Sequence, residues 1–132
     1  MRRAMDDAPP PLHQLALCRF EDLPSDGARG FDPLREGRDV LFIVRRGGAL
    51  RAYRNSCPHW PGTPMAWRKD GYLSPDGAHI VCYAHGARFD IDTGDCLDGP
   101  CPGQSLQTIP LIRRADGLVL VPRDALESRT AS

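Results

Sequence analysis

Two short stretches of this chain combine a thiol with an imidazole. The first is Cys57-Pro58-His59 and the second is Cys82-Tyr83-Ala84-His85, with 22 residues between His59 and Cys82. Thiolates suit soft metals and iron–sulfur clusters, while imidazole suits iron and zinc. Two products fit this donor set. One is a tetrahedral zinc site built from two Cys and two His. The other is a [2Fe–2S] centre in which two Cys hold one iron and two His hold its twin. The order of the donors separates them. A zinc finger keeps its cysteines together and its histidines together, whereas here each stretch mixes the two types. If each loop straddles a diamond-shaped cluster, its Cys reaches the inner iron and its His the outer one. The mixed order then follows from the asymmetry of the cluster, which zinc lacks.

Such loops need rigid strand ends behind them. Gly and Pro, 13 of each, punctuate short segments rich in β-branched and aromatic residues. Strands are expected at 15–20, 40–46, 49–54, 79–83, 88–92, 111–114 and 118–121, so each Cys/His pair falls beside a predicted strand end. Gly47-Gly48 favours a tight hairpin with both central residues at positive φ, a type I′ turn. Asp116-Gly117 marks another hairpin. Turn signals recur about every ten residues, the spacing of an all-β antiparallel sandwich or barrel. No helical stripe exceeds two turns, and 123–129 reads as a single loose turn. The stretch 56–69 is irregular, because Pro58, Pro61, Gly62 and Pro64 oppose helix and central strand alike. A loop of that length in a compact domain is usually functional.

Length and charge narrow the function. The chain has 132 residues, which points to one domain. Lys plus Arg and Asp plus Glu are 17 each. The resulting zero net charge argues against a nucleic-acid partner, whose phosphates need excess basic groups, and against a polybasic membrane anchor. The longest apolar run, Val40 to Val44, is too short to cross a bilayer. Arg2-Arg3 is followed by acids rather than by an apolar segment, so the start reads as a flexible Pro-rich tail and the protein as cytoplasmic. Five cysteines cannot all pair, and in a cytosolic protein they bind metal or stay reduced.

At the donor residues the chain resembles Rieske ferredoxin-type proteins, of the kind that serve oxygenases or form the small subunit of nitrite reductases. The matching segments are Asn55-Ser56-Cys57-Pro58-His59, Cys82-Tyr83-Ala84-His85-Gly86-Ala87-Arg88-Phe89 and Cys96-Leu97-Asp98-Gly99-Pro100-Cys101. Weaker similarity extends over about 14–122. The resemblance implies an all-β Rieske fold of stacked antiparallel sheets, with a two-loop subdomain holding one [2Fe–2S] cluster per chain. It implies that Cys57 and Cys82 bind the buried iron and that His59 and His85 bind the outer one. The domain then spans 12–123, between an N-terminal tail at 1–11 and a C-terminal tail at 124–132. Two departures stand out: the interval between the loops is long, and the disulfide of respiratory members is absent, its positions being Gly62 and Ala84.

The implied function is one-electron carriage from a reductase to a terminal oxygenase or similar enzyme. Redox proteins are the partners, and the chain has no catalysis of its own. The alternatives are a small subunit inside a larger, nitrite-reductase-like complex and a zinc-binding interaction module. An oxygenase in its own right needs a further iron held by two His and a carboxylate, and only His13 and His79 remain for it. High-potential family members place a Ser and a Tyr where this chain has Ala87 and Phe89. Without those hydroxyl donors to the cluster, the midpoint is expected at the low end of the Rieske range, roughly −150 to +50 mV.

Other residues have plainer readings. Cys18 is expected as a buried structural thiol, Cys96 and Cys101 as reduced packed thiols, His79 at an edge and His13 in solvent. Trp60 either covers the site or packs in the core. Met65 and Trp67 are expected to shield the site from water, and Pro102-Gly103 to close a third loop. Arg45, Arg46, Arg51 and Arg54 are expected on a solvated hairpin face rather than as a docking strip.

Overall fold

The computed structural model describes residues 11–56, 65, 70–82, 86–99 and 104–127. Among them are nine strands, a single 3-10 turn at Phe20–Asp22 and one short α-helix. The strands are β1 (Gln14–Arg19), β2 (Ala28–Phe31), β3 (Leu41–Arg46), β4 (Ala49–Arg54), β5 (Ile80–Cys82), β6 (Ala87–Phe89), β7 (Cys96–Asp98), β8 (Ile112–Arg113) and β9 (Leu118–Pro122). The helix is α1 (Arg123–Glu127). They form three antiparallel sheets of three strands, ordered β1-β9-β8, β2-β3-β4 and β5-β6-β7.

Strand β3 explains how the sheets stack. Successive side chains of a strand point to opposite faces, yet Leu41, Phe42, Ile43 and Val44 are all fully buried. Both faces of the middle sheet are therefore covered. Leu41 and Ile43 pack with Ala52, Val119 and Val121, in a core shared with the β1-β9-β8 sheet. Phe42 and Val44 pack with Tyr53, Ile80, Cys82 and Phe89, in a core shared with the β5-β6-β7 sheet. The register agrees, since Ile43 lies opposite Ala52 and Phe42 opposite Tyr53, and cross-strand partners share a face. An apolar run with no polar alternation is thus the signature of a strand buried on both sides.

The β3–β4 hairpin forms at the expected place. Arg46 pairs with Ala49 across Gly47-Gly48. Gly47 has φ +60, but Gly48 is not at positive φ, so the turn follows the type II′ pattern rather than type I′. The hairpin at Asp116-Gly117 also forms, joining β8 to β9. Strands β2 and β7 lie where the sequence predicts none. Strand β6 stops at Phe89, short of the expected Asp92, because Asp90 Oδ1 accepts the N–H groups of Asp92 and Thr93 and bends the chain. The single turn after β9 is α1, and its Leu126 is buried in the second core. Among the described residues no helix is long and apolar enough to cross a membrane.

The arginines of the hairpin have internal work. Arg45 lies over the Phe20 ring and donates to the Leu23 carbonyl oxygen, with Arg113 also 4.4 Å from the same ring. Arg54 donates to the Ala125 carbonyl at 2.7 Å and so ties the end of β4 to α1. Arg51 faces Asp92 in an exposed pair at 4.0 Å, an arrangement that contributes little. These contacts favour a solvated, self-satisfied face over a docking strip.

Candidate metal centre

Cys82 closes β5 and is fully buried. The chain returns to β6 within a few residues, where Cys82 lies opposite Ala87, and the Gly86 N–H donates to the Cys82 carbonyl at 2.7 Å. Gly86 sits at φ +77, a backbone conformation that glycine adopts without Cβ strain. The other three predicted donors, Cys57, His59 and His85, lie outside the described residues, as do Trp60, Trp67, Cys101 and Pro102-Gly103. Asn55 follows β4, and its backbone N–H donates to the Val40 carbonyl at 2.9 Å.

Asn55 is the buried polar side chain among the described residues. A buried amide needs partners on both of its ends. Its Nδ2 donates to the Asp39 carbonyl at 2.9 Å, and its Oδ1 accepts the Met65 N–H at 2.8 Å. Met65 itself is fully buried in the same apolar cluster as Cys82, Ala87 and Phe89. The far end of the inter-loop segment is fixed separately. Asp70, at φ +63, accepts the Gly30 N–H through Oδ1 at 2.8 Å. Gly30 is required by close approach, because a Cβ there would lie 2.4 Å from Asp39 Oδ2 and 2.6 Å from the Tyr72 hydroxyl. Tyr72 stacks on Phe42 at 4.2 Å. Burial, then the charges of Asp39 and Asp70 and a hydrogen bond to Asp39, hold its phenol far above the ordinary tyrosine range. Tyr53, pushed up to about 12 mainly by burial, donates its hydroxyl to the Ile91 carbonyl at 2.7 Å. Both phenols therefore stay protonated and act as fixed struts behind β5 and β6.

A third segment meets β6 at its start. Gly99 has φ +109, and a Cβ there would come 2.6 Å from Ala87 Cα. Gly99→Ala is therefore expected to lower stability by at least about 1–3 kcal/mol, read as a shift of the urea unfolding midpoint. An unchanged midpoint would show that this approach is relaxed.

Two further thiols are described, Cys18 and Cys96. Cys18 is half-buried, and burial pushes its thiol up to about 11, so it stays protonated and is a poor ligand. Cys96 is in no disulfide and packs at the margin of the first core, donating to the Asp98 carbonyl. His13 is exposed and His79 part-exposed. Among the described residues no group of three or more His, Cys, Asp or Glu could hold a metal ion.

The donor chemistry fits a two-iron cluster on what is described. A fully buried thiol sits at a strand end, Ala87 and Phe89 in the same core carry no competing polar group, and Gly99 allows close backbone approach to Ala87. Sequence reading found the thiol from its motif. It gave Asn55 no structural role within its motif and did not single out Asp39, Asp70 or Gly30.

Comparison with known proteins agrees. A model of the Rieske [2Fe-2S] domain matches residues 13–113. Apoptosis-inducing factor 3 of Homo sapiens is 32% identical over 87 residues, covering 66% of this chain and 13% of that protein, so the chain spans only a small part of this relative. The 3-phenylpropionate/cinnamic acid dioxygenase ferredoxin subunit of Photorhabdus laumondii is 29% identical over 110 residues, covering 83% of this chain and 94% of that protein. A chain in the complex of reduced oxygenase and oxidized ferredoxin of carbazole 1,9a-dioxygenase superimposes with a TM-score of 0.64 at 24% identity, covering 86% of this chain and 95% of that one.

Proposed function

Because this chain belongs to the Rieske [2Fe-2S] domain family, we propose that it is a one-electron carrier that takes electrons from a reductase and delivers them to a terminal oxygenase or similar enzyme. The observation that carries this reading is the family match over 13–113, which contains both Cys/His pairs. The dioxygenase ferredoxin subunit, matched over nearly its whole length, supports the choice of partner.

When bound, the cluster supplies a one-electron couple whose potential the surrounding protein sets. Cys57 and Cys82 would hold it as thiolates, and His59 and His85 as imidazoles. The burial of Cys82 at the end of β5 supports the inner assignment. Ala87 and Phe89, both fully buried, offer no hydroxyl donor, and the Tyr53 hydroxyl is already committed to Ile91. Among these residues nothing stabilises the added negative charge of the reduced state by a side-chain hydrogen bond. The working unit is 12–123, and the compartment is the cytoplasm, in keeping with Cys18, Cys82 and Cys96 being in no disulfide.

The test is direct. Aerobically purified protein should be reddish-brown, carry iron and acid-labile sulfide, and give an EPR signal after dithionite reduction. A redox titration should place its midpoint at roughly −150 to +50 mV. Stoichiometric zinc without iron sinks the proposal, and a midpoint above about +200 mV sinks the tuning argument.

A further inference from the structure

Met65 and Asn55 have a relation to the centre that the donor motif does not contain. Met65 comes from the proline-rich stretch between the two donor pairs, yet it is fully buried and shares its apolar cluster with Cys82 and Ala87. It is seated there by Asn55, whose Oδ1 accepts the Met65 N–H at 2.8 Å while Nδ2 donates to the Asp39 carbonyl at 2.9 Å. Asn55 stands two residues before Cys57 and is itself pinned to Val40. One side chain thus crosslinks the start of the first donor loop to the residue that fills the core beside the second donor strand.

We propose that Met65 is the plug that keeps water from the cysteine-held side of the cluster and that Asn55 is the positioning residue that seats it, so that the pair holds the midpoint potential low. The inference rests on the cluster reading above. Its physics is charge burial. Reduction adds one negative charge to the centre, and a dry, apolar surround disfavours the more highly charged state. A thioether fills irregular space and offers no hydrogen to a sulfide or thiolate. Water admitted in its place solvates the reduced centre and donates to its sulfurs, and both effects raise the potential. A wet site also opens the reduced centre to dioxygen.

The test uses the full-length, cluster-loaded chain. Met65→Ala removes the plug, Asn55→Ala unseats it, and Met65→Leu keeps an apolar side chain of similar volume. Iron and sulfide content is measured first, because zinc in the unaltered protein would overturn the cluster reading itself and not this inference alone. In Met65→Ala the reduced-to-oxidised ratio at fixed potential is expected to rise about tenfold, which for a one-electron couple is about +59 mV. Asn55→Ala should shift in the same direction by less, and Met65→Leu should stay at the parent value. Reduced Met65→Ala should also reoxidise in air several-fold faster than Met65→Leu. If Met65→Ala loses its iron, the smaller truncation Met65→Val is titrated with Asn55→Ala. An unchanged midpoint in variants that keep full iron overturns the proposal, even if their unfolding midpoints fall.

Discussion

Cys82→Ser is expected to yield a colourless protein. Iron and acid-labile sulfide should drop from about two atoms of each per chain to near zero, with loss of the EPR signal after reduction. Serine nearly preserves the shape of the side chain but replaces a soft, ionisable thiol with a hydroxyl, a hard donor that is not deprotonated at neutral pH. Neither other described thiol is placed as a substitute, because Cys18 belongs to the other core and Cys96 sits at the margin of the first, donating to the Asp98 carbonyl. Loss of the cluster should also lower the unfolding temperature, since binding energy at a site formed only in the folded state is folding energy. Cys18→Ser is the control, and its iron content should match the parent protein. Full iron in Cys82→Ser would remove Cys82 from the ligand set and with it the assignment of the inner iron.

What the sequence revealed, and what it hid, divides by distance along the chain. The two Cys/His doublets stand out in the sequence because each is local and its mixed order carries chemical meaning. The β3–β4 and β8–β9 hairpins were legible because a two-residue turn writes itself in adjacent residues, although the exact turn type at Gly47-Gly48 was not, since two glycines permit either primed form. Strand β2 was hidden. Its Ala28-Arg29-Gly30-Phe31 has weak strand propensity, and Gly30 is there because Asp39 and Tyr72 crowd it from elsewhere in the fold. Strand β7 was hidden for the same reason, as Cys96–Asp98 becomes a strand only by pairing with β6. The supports of the site are non-local too. The Asn55–Met65 and Gly30–Asp70 hydrogen bonds span ten and forty residues, and nothing in a single sequence announces such a pair.

The run that betrays no alternation, Leu41 to Val44, supplies the sharpest test of how the fold serves the site. Phe42→Ala and Ile43→Ala remove neighbouring, fully buried side chains from opposite faces of one strand. Both should be strongly destabilising, by about 3–5 kcal/mol for Phe42→Ala and about 2–5 kcal/mol for Ile43→Ala, because each leaves a cavity that the sheets cannot fully close. Urea unfolding of the cluster-loaded protein measures both. Their effects on the metal centre should differ. Phe42 packs with Tyr53 and stacks on Tyr72, within the core that contains Cys82, Met65 and Ala87. Ile43 faces Val119 and Val121 in the other core, with the middle sheet between it and Cys82. Phe42→Ala should therefore shift the EPR g-values and the midpoint, while Ile43→Ala should leave both at the parent values despite a comparable fall in stability. Equal spectral shifts would mean that the middle sheet transmits strain as one body. A silent Phe42→Ala would mean that the phenylalanine supports only the fold. A shift confined to Phe42→Ala means that the chain separates its two tasks by layer, one core for holding together and the other for setting the electron's energy.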